Sequence, residues 1–484
     1  MTMRRFISIL SCLMLSLVVQ AQPGPDTLWT RFYGWTGDDT AFGIQQTADQ
    51  GFIMAGTATV PVSPPHTDMF ALKTDSLGQM QGWHSYGGPG NQGAYSVAIA
   101  REGGYLFTGY STWTNGRTLA YFVRTDNLGD TLGTGLHTFD EDRNTWAWAA
   151  VEELADSYFA VSAFSRSLDN TEGSRQLLAV NQTGQIAGGS GYGAYRATAR
   201  GVCTTRDSMV AVVGQVVDSA QGARRAYLWK TFGGNYFFST YGGGAFEDEA
   251  YDVVETNDGF LLAGVTTDGH LDGTFLCKTT FNGDMVWLQR YVGEYAGMAK
   301  AVIPAIGGGF VVAGSFPTYW GDWDMYLAKF NSNGGREWQR NYGTSADEQA
   351  YDVVQTADGG FVLVGYSTAH VGVQAEWYIV KTLPDPQLSA PDAVTVLPLD
   401  YRINAFPNPF NPSTEILYDL PAPAHVSLRV FDLLGRQVAV LKDGFSEAGT
   451  HRVTFDGGGL PSGLYVARLE AGSFSQTRKL ALVK

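Results

Sequence analysis

EWQRNYG (337–343), QAYDVVQTADGGFVLVGYS (349–367) and EWYIVKT (376–382) make up the clearest unit of a pattern that fills most of the chain. The unit returns as VWLQRYVG (286–293), GMAKAVIPAIGGGFVVAGS (297–315) and DMYLAKFNSNG (324–334). It returns again as STYGG (239–243), EAYDVVETNDGFLLAGVT (249–266) and TFLCKTTFNG (274–283). Nearer the front stand AFGIQQTADQGFIMAGT (41–57) and AYSVAIAREGGYLFTGYS (94–111), with drifted copies at 146–164 and 197–215. A glycine closes the second apolar run of each unit, at Gly56, Gly109, Gly214, Gly264, Gly314 and Gly365, with Ala163 in its place once. Successive steps are 53, 54, 51, 50, 50 and 51 residues. A repeat of this length, built of four short β-rich segments and lacking helical periodicity, predicts an all-β chain with a seven-bladed β-propeller over 22–383.

Within a unit the AYDVV-like segment is strand a, GFVLVG is b, YIVKT is c and WQRNYG is d. Turn pairs such as Asp258-Gly259 and Asn333-Gly334 join them. LWTRFYG (28–34) is a strand d with no a, b or c before it, while Pro384 and Pro386 follow strand c of the last unit. The N-terminal strand is therefore expected to complete the last blade, which removes two exposed edges. This half resembles the secreted repeat propellers of bacteria, with a kelch-like unit length. The likeness implies a fold and leaves the activity open.

Composition agrees with short strands and many turns. Charged residues are 16% of the chain, against about 25% in an average soluble protein. The net charge of −15 argues against nucleic-acid binding, which needs a basic footprint. Arg4 and Arg5, an apolar run from Phe6 to Val19, and Val19-Gln20-Ala21 read as an export signal over 1–21. No later stretch is long and apolar enough for a membrane span. Cys203 and Cys277 are expected to be free thiols in different repeats.

After a Pro- and Ala-rich linker over 384–400, alternating runs such as VSLRVFD (426–432), THRVTFD (450–456) and LYVARLE (464–470) predict a small Ig-like β-sandwich over 401–484. Its marks are Pro407, Asn408 and Pro409 within FPNPF, the Asp432 to Gly435 and Arg436 turn, Gly463 with Tyr465, and Lys479 near the terminus. On these residues it closely resembles the type A C-terminal sorting domain of type IX secretion. The resemblance implies the secretion machinery as a partner. It also implies export to the surface or exterior of a Gram-negative bacterium and removal of the domain on the way.

Two groups of residues are candidates for function. Repeat alignment puts Arg200, Asp252, Lys300 and Asp352 at one position of strand a in consecutive blades. Alternating charges there suggest pairing around a central channel, chiefly to hold blades in register. The d–a and b–c loops open on one face and carry Trp35, Asp38, Asp39, Trp113, Asp248, Trp320, Trp323, Asp347 and Glu348. Aromatic rings stack on sugars and carboxylates hold hydroxyls or Ca²⁺, so that face is a candidate site for a glycan or a surface protein. No metal-hydrolase, phosphate-loop or dithiol motif is present, which favours binding or adhesion over catalysis. A polysaccharide-acting enzyme using loop carboxylates and a purely structural surface component are the alternatives.

Overall fold

A computed structural model describes residues 22–388 and 402–484. Short stretches at 36, 62–64, 101–102, 139–141, 153–157, 169–172, 193–195, 218–221, 233–234, 294–295, 370–374, 407–409, 421–422, 447–448 and 473 are excepted. The expected leader, most of the expected linker, and Pro407, Asn408 and Pro409 thus lie outside the described residues. The chain divides into two compact units, 1–389 and 390–484.

Among the described residues the first unit is all β. Its strands form seven antiparallel sheets of four strands, one of which gains a fifth. In six sheets the strands follow chain order, a to d. Strands b and c are buried along nearly their whole length, as in Phe361–Ser367 and Glu376–Thr382, because sheets cover both of their faces. This explains their unbroken Val, Ile, Leu and Phe runs. Strands d alternate instead, as in Met80–Tyr86, since one face is open to water.

The strands a pack side by side in a closed circuit. Thr40–Gln46 meets Asn91–Ile99, and each strand a meets the next until Glu348–Gln355 meets Thr40–Gln46 again. The last sheet takes its strand d from the other end of the chain: Thr27–Tyr33 pairs antiparallel with Glu376–Thr382, Tyr33 opposite Trp377. Just before it, Gln22–Pro23 runs parallel to Arg336–Tyr342, adding the fifth strand to the sixth sheet. The N-terminal residues thus engage two neighbouring sheets.

A cation near the end of strand c recurs in six sheets, buried in all but the first, where Lys73 is half-buried. Lys73 pairs with Asp49, Lys230 with Asp207, Lys278 with Asp258 and Lys381 with Asp358, each carboxylate coming from the a–b turn. Arg124 bonds the Gly103 carbonyl instead (2.6 Å). The sixth sheet has glycines where that turn carboxylate belongs, and Lys329 pairs with Asp385 (2.8 Å). Residues 384–388, which composition assigns to a linker, are thus docked on the first unit.

The second unit is a sandwich of a three-stranded and a four-stranded sheet. Ile403, Ile416, Tyr418 and Phe455 of one face Val426, Leu428, Ala467 and Leu469 of the other in one core. Asp432 accepts the backbone N–H groups of Leu434 and Arg436 and the Arg436 Nε–H (2.7 Å), while Gly435 takes a positive φ of 77° in that turn. The hydroxyl of buried Tyr465 donates to the Pro461 carbonyl (2.7 Å), just ahead of Gly463. Lys479 lies on the last strand, Phe474–Leu482.

Candidate functional site

Six of the seven strands a are interrupted at an equivalent place. Pairing with strand b skips one residue between Ala41 and Gly43, Ala94 and Ser96, and Ala147 and Ala149. It does so again between Ala250 and Asp252, Ala299 and Ala301, and Ala350 and Asp352. The skipped residue is a β-bulge, which re-aims its side chain. The bulged residues Phe42, Tyr95, Trp148, Tyr251, Lys300 and Tyr351, with Arg200 after Ala199 in the fourth sheet, all line a central cavity. The alanine before each is fully buried. The glycine that sets the sequence ruler lies opposite the bulge. A Cβ at Gly365 would collide with the Gln349 carbonyl, and one at Gly264 with the Glu249 carbonyl. The repeat period therefore marks the device that aims a side chain inward.

These residues touch one another around the channel. Ring centroids of Tyr351 and Phe42 are 4.7 Å apart, those of Phe42 and Tyr95 5.4 Å, and Tyr95 stacks on Trp148 at 4.1 Å. The Arg200 guanidinium lies 4.1 Å from the Trp148 ring centroid and 5.0 Å from that of Tyr251. On Tyr251 also sits the Lys300 ammonium, at 3.8 Å. Five aromatic rings and two cations form a belt held by stacking and cation–π attraction.

The next residue along strand a forms a second tier, which contains Ser96, Asp252 and Asp352. Asp252 accepts the N–H of Val253 (2.8 Å) and that of Val302 in the next sheet (2.9 Å). Asp352 likewise accepts Val353 (2.8 Å) and Ile44 (2.9 Å), joining the last sheet to the first. Each carboxylate thus ties a backbone amide of its own strand to one of strand a in the adjoining sheet. The protein wall surrounds them, although each keeps partial exposure to the cavity. Burial pushes Asp252 up to about 6, and burial with the charge of Asp252 pushes Asp352 up to about 7.

The single row of alternating charges expected from the repeats is therefore corrected. Arg200, Asp252, Lys300 and Asp352 all line the cavity, but the cations stand in the belt and the carboxylates in the tier beyond it. The sixth sheet carries its cation at the bulge and Ala301 in the second tier, so the repeat alignment was one residue out. Nor does Arg200 pair with Asp252. Its Nε–H donates to Glu249 (2.8 Å).

The cavity has a volume of about 990 Å³, within the range of small-molecule sites. Gln45, Cys203, Pro304 and Gln355 in its wall show that it extends toward the a–b turns. None of the nine loop-face candidates lines it. Both described thiols are free, and burial pushes Cys203 and Cys277 up, Cys277 to about 12.

The loop face differs from expectation in its acids. Asp39 is fully buried and accepts the Trp35 and Thr59 N–H groups (2.6 and 2.7 Å). Asp248 is fully buried against Arg290 (2.6 Å) and accepts the Gly243 N–H. Glu348 is fully buried and accepts the Thr344 N–H and the Ser367 hydroxyl. All three stand three residues before a belt residue and cap the d–a loop, a structural role in place of the ligand-binding one expected. Trp35 packs on Phe70 (4.1 Å) beside Trp377 and belongs to the core edge. Asp347 accepts the N–H of half-buried Trp323 (3.1 Å). Asp38 is exposed, as are Trp113 (50%), Tyr319 (75%) and Trp320 (86%). Among the described residues no group of three or more His, Cys, Asp or Glu could hold a metal ion.

Residues 404–483 match the family model of the secretion system C-terminal sorting domain (Por_Secre_tail). This domain directs the chain through type IX secretion to the cell surface or extracellular space, and implies contact with the secretion machinery. Among the described residues no helix is long and apolar enough to cross a membrane. No curated protein matches the chain. Three solved structures to which the chain is similar are PorZ, the coronin WD40 domain of Toxoplasma gondii, and the β-propeller domain of the Trilobed protease from Pyrococcus furiosus. PorZ is described as an essential bacterial surface component of the type-IX secretion system of Porphyromonas gingivalis. It is 10% identical with a TM-score of 0.41, over 93% of this chain and 60% of its own. The chain thus spans about three fifths of PorZ. The protease domain is 7% identical with a TM-score of 0.43, over 75% of this chain and 99% of its own. The coronin domain is 9% identical with a TM-score of 0.38, over 76% and 90%. At these identities no residue role carries across.

Proposed function

We propose that this chain is an exported, non-catalytic binding protein whose first unit is a seven-bladed propeller with its ligand in the central channel. The Ig-like sandwich serves export. One observation carries the reading: a cavity of about 990 Å³ walled by a belt of five aromatic rings and two cations. Aromatic faces beside polar groups suit a sugar or another small polar ring. Binding is favoured over catalysis because Asp252 and Asp352 spend both oxygens on backbone amides. A glycosidase pair needs free carboxylates flanking the substrate.

A second reading keeps the ligand on the loop face. The exposed T-shaped pair of Tyr319 and Trp320, 5.3 Å between centroids, favours it. Titration calorimetry of the purified chain against a panel of oligosaccharides separates the two. The channel reading expects a binding signal that Trp148→Ala abolishes and Trp320→Ala leaves intact. The opposite pattern moves the site to the loop face, and no binding leaves a structural or adhesive role.

A further inference from the structure

We infer that Lys300 is an anion-binding residue and that the channel ligand carries a carboxylate, as on an acidic sugar. This rests on the channel reading above and names the ligand class of that site.

Lysine has one use almost throughout the first unit. Six lysines lie between residues 22 and 389. Lys73, Lys230, Lys278, Lys329 and Lys381 each hold a carboxylate at 3.0 Å or less. Their places near the end of strand c make them building pieces of a sheet. Lys300 stands elsewhere, at the bulge of strand a in the cavity wall. Among the described residues no carboxylate lies within ion-pair distance of it. Its ammonium sits over the Tyr251 ring instead, 3.8 Å from the centroid.

The surrounding charges do not supply the missing anion. Glu249 is the acid that acts most strongly on Lys300, but it is engaged by Arg200 Nε (2.8 Å) and the Thr198 hydroxyl (3.0 Å). Asp272 acts on Lys300 too, yet stands exposed at the start of its strand. Asp252 and Asp352 are turned to backbone amides in the second tier. Two cations therefore share the Tyr251 ring while one carboxylate answers them. A ring face satisfies one side of an ammonium and leaves other N–H donors for an acceptor in the cavity. Burial, and after it the charge of Arg200, pushes Lys300 down to about 8, which is the condition an incoming anion would relieve. Stacked Tyr95 and Trp148 across the belt supply apolar faces for the body of a small ring.

The test is titration calorimetry of the purified chain with D-galacturonate and D-galactose, which differ in one carboxylate. The inference expects galacturonate to bind at least about tenfold tighter, roughly the worth of one charge-assisted hydrogen bond. Lys300→Met should erase that preference without lowering the melting temperature, and Lys300→Arg should keep most of it. Equal affinity for the two sugars, or a preference that survives Lys300→Met, overturns the inference. If both sugars bind equally and Trp148→Ala abolishes binding, the channel reading stands without it. If neither sugar binds, the acidic-sugar inference falls; if the oligosaccharide panel fails as well, the channel reading falls with it.

Discussion

Asp385 comes back from beyond the last strand of the first unit to reach Lys329 at 2.8 Å, supplying the carboxylate that the sixth sheet lacks in its own turn. It also accepts the indole N–H of fully buried Trp338 (2.9 Å). The same sheet is held from the other end of the chain. Tyr342 donates its hydroxyl to the Pro25 carbonyl (2.7 Å), and Gln22–Pro23 lies along its outer edge. Both termini of the first unit therefore converge on the sixth sheet, next to the last sheet where the ring closes.

Removing that carboxylate should cost much more than removing an exposed one. Asp385→Ala leaves a buried ammonium and a buried indole N–H without their acceptor. We expect a loss of about 3 kcal/mol, the scale for breaking a buried pair, partly offset by Gln387 and Glu337 near Lys329. Asp26→Ala breaks the exposed pair with Arg340 and should cost about 1 kcal/mol or less. Denaturant unfolding of the two variants checks the contrast.

Asp352 should make stability fall as the solution becomes less acidic. Its folded pKa, about 7, lies above the unfolded value near 4. The folded state then binds more protons than the unfolded state between those values. The contribution is fully present below about pH 4 and is lost as pH rises through about 7. Melting temperatures of wild type and Asp352→Ala, measured from pH 5 to pH 8, should show the wild-type advantage shrinking with rising pH. A constant gap contradicts the assignment.

The bulge geometry predicts which glycines resist change. Gly365→Ala places a methyl group against the Gln349 carbonyl and Gly264→Ala one against the Glu249 carbonyl. Each should cost about 1–3 kcal/mol, the scale for overpacking. Gly116→Ala meets open space but sits at a φ of 81°, so its smaller cost should come from backbone conformation alone. Thermal unfolding of the three variants gives the order.

Much of the architecture was legible in the chain itself. The glycine period, the Asp-Gly turns and the orphan strand at 28–34 reflect local chemistry that repeats, and local chemistry is what a sequence displays. The belt was harder to see, though its sign was present: an alanine precedes Phe42, Tyr95, Trp148, Arg200, Tyr251, Lys300 and Tyr351 alike. A strand read with strict alternation hides a bulge, and one extra residue carries every later side chain to the other face. Asp39, Asp248 and Glu348 misled for a different reason. An acid in a polar loop looks exposed until the loop folds over it, and its backbone partners are visible only in three dimensions. Asp385 sat in a Pro-rich stretch whose composition suggested a spacer, while its partners lie 47 and 56 residues earlier, at Trp338 and Lys329.

The most direct test of the account is a crystal structure of the exported chain with the tightest-binding saccharide from the panel. The account predicts ligand density inside the channel, against Trp148 and Tyr251, with an anionic group at Lys300. Density on the exposed pair of Tyr319 and Trp320, with the channel unchanged, would contradict it.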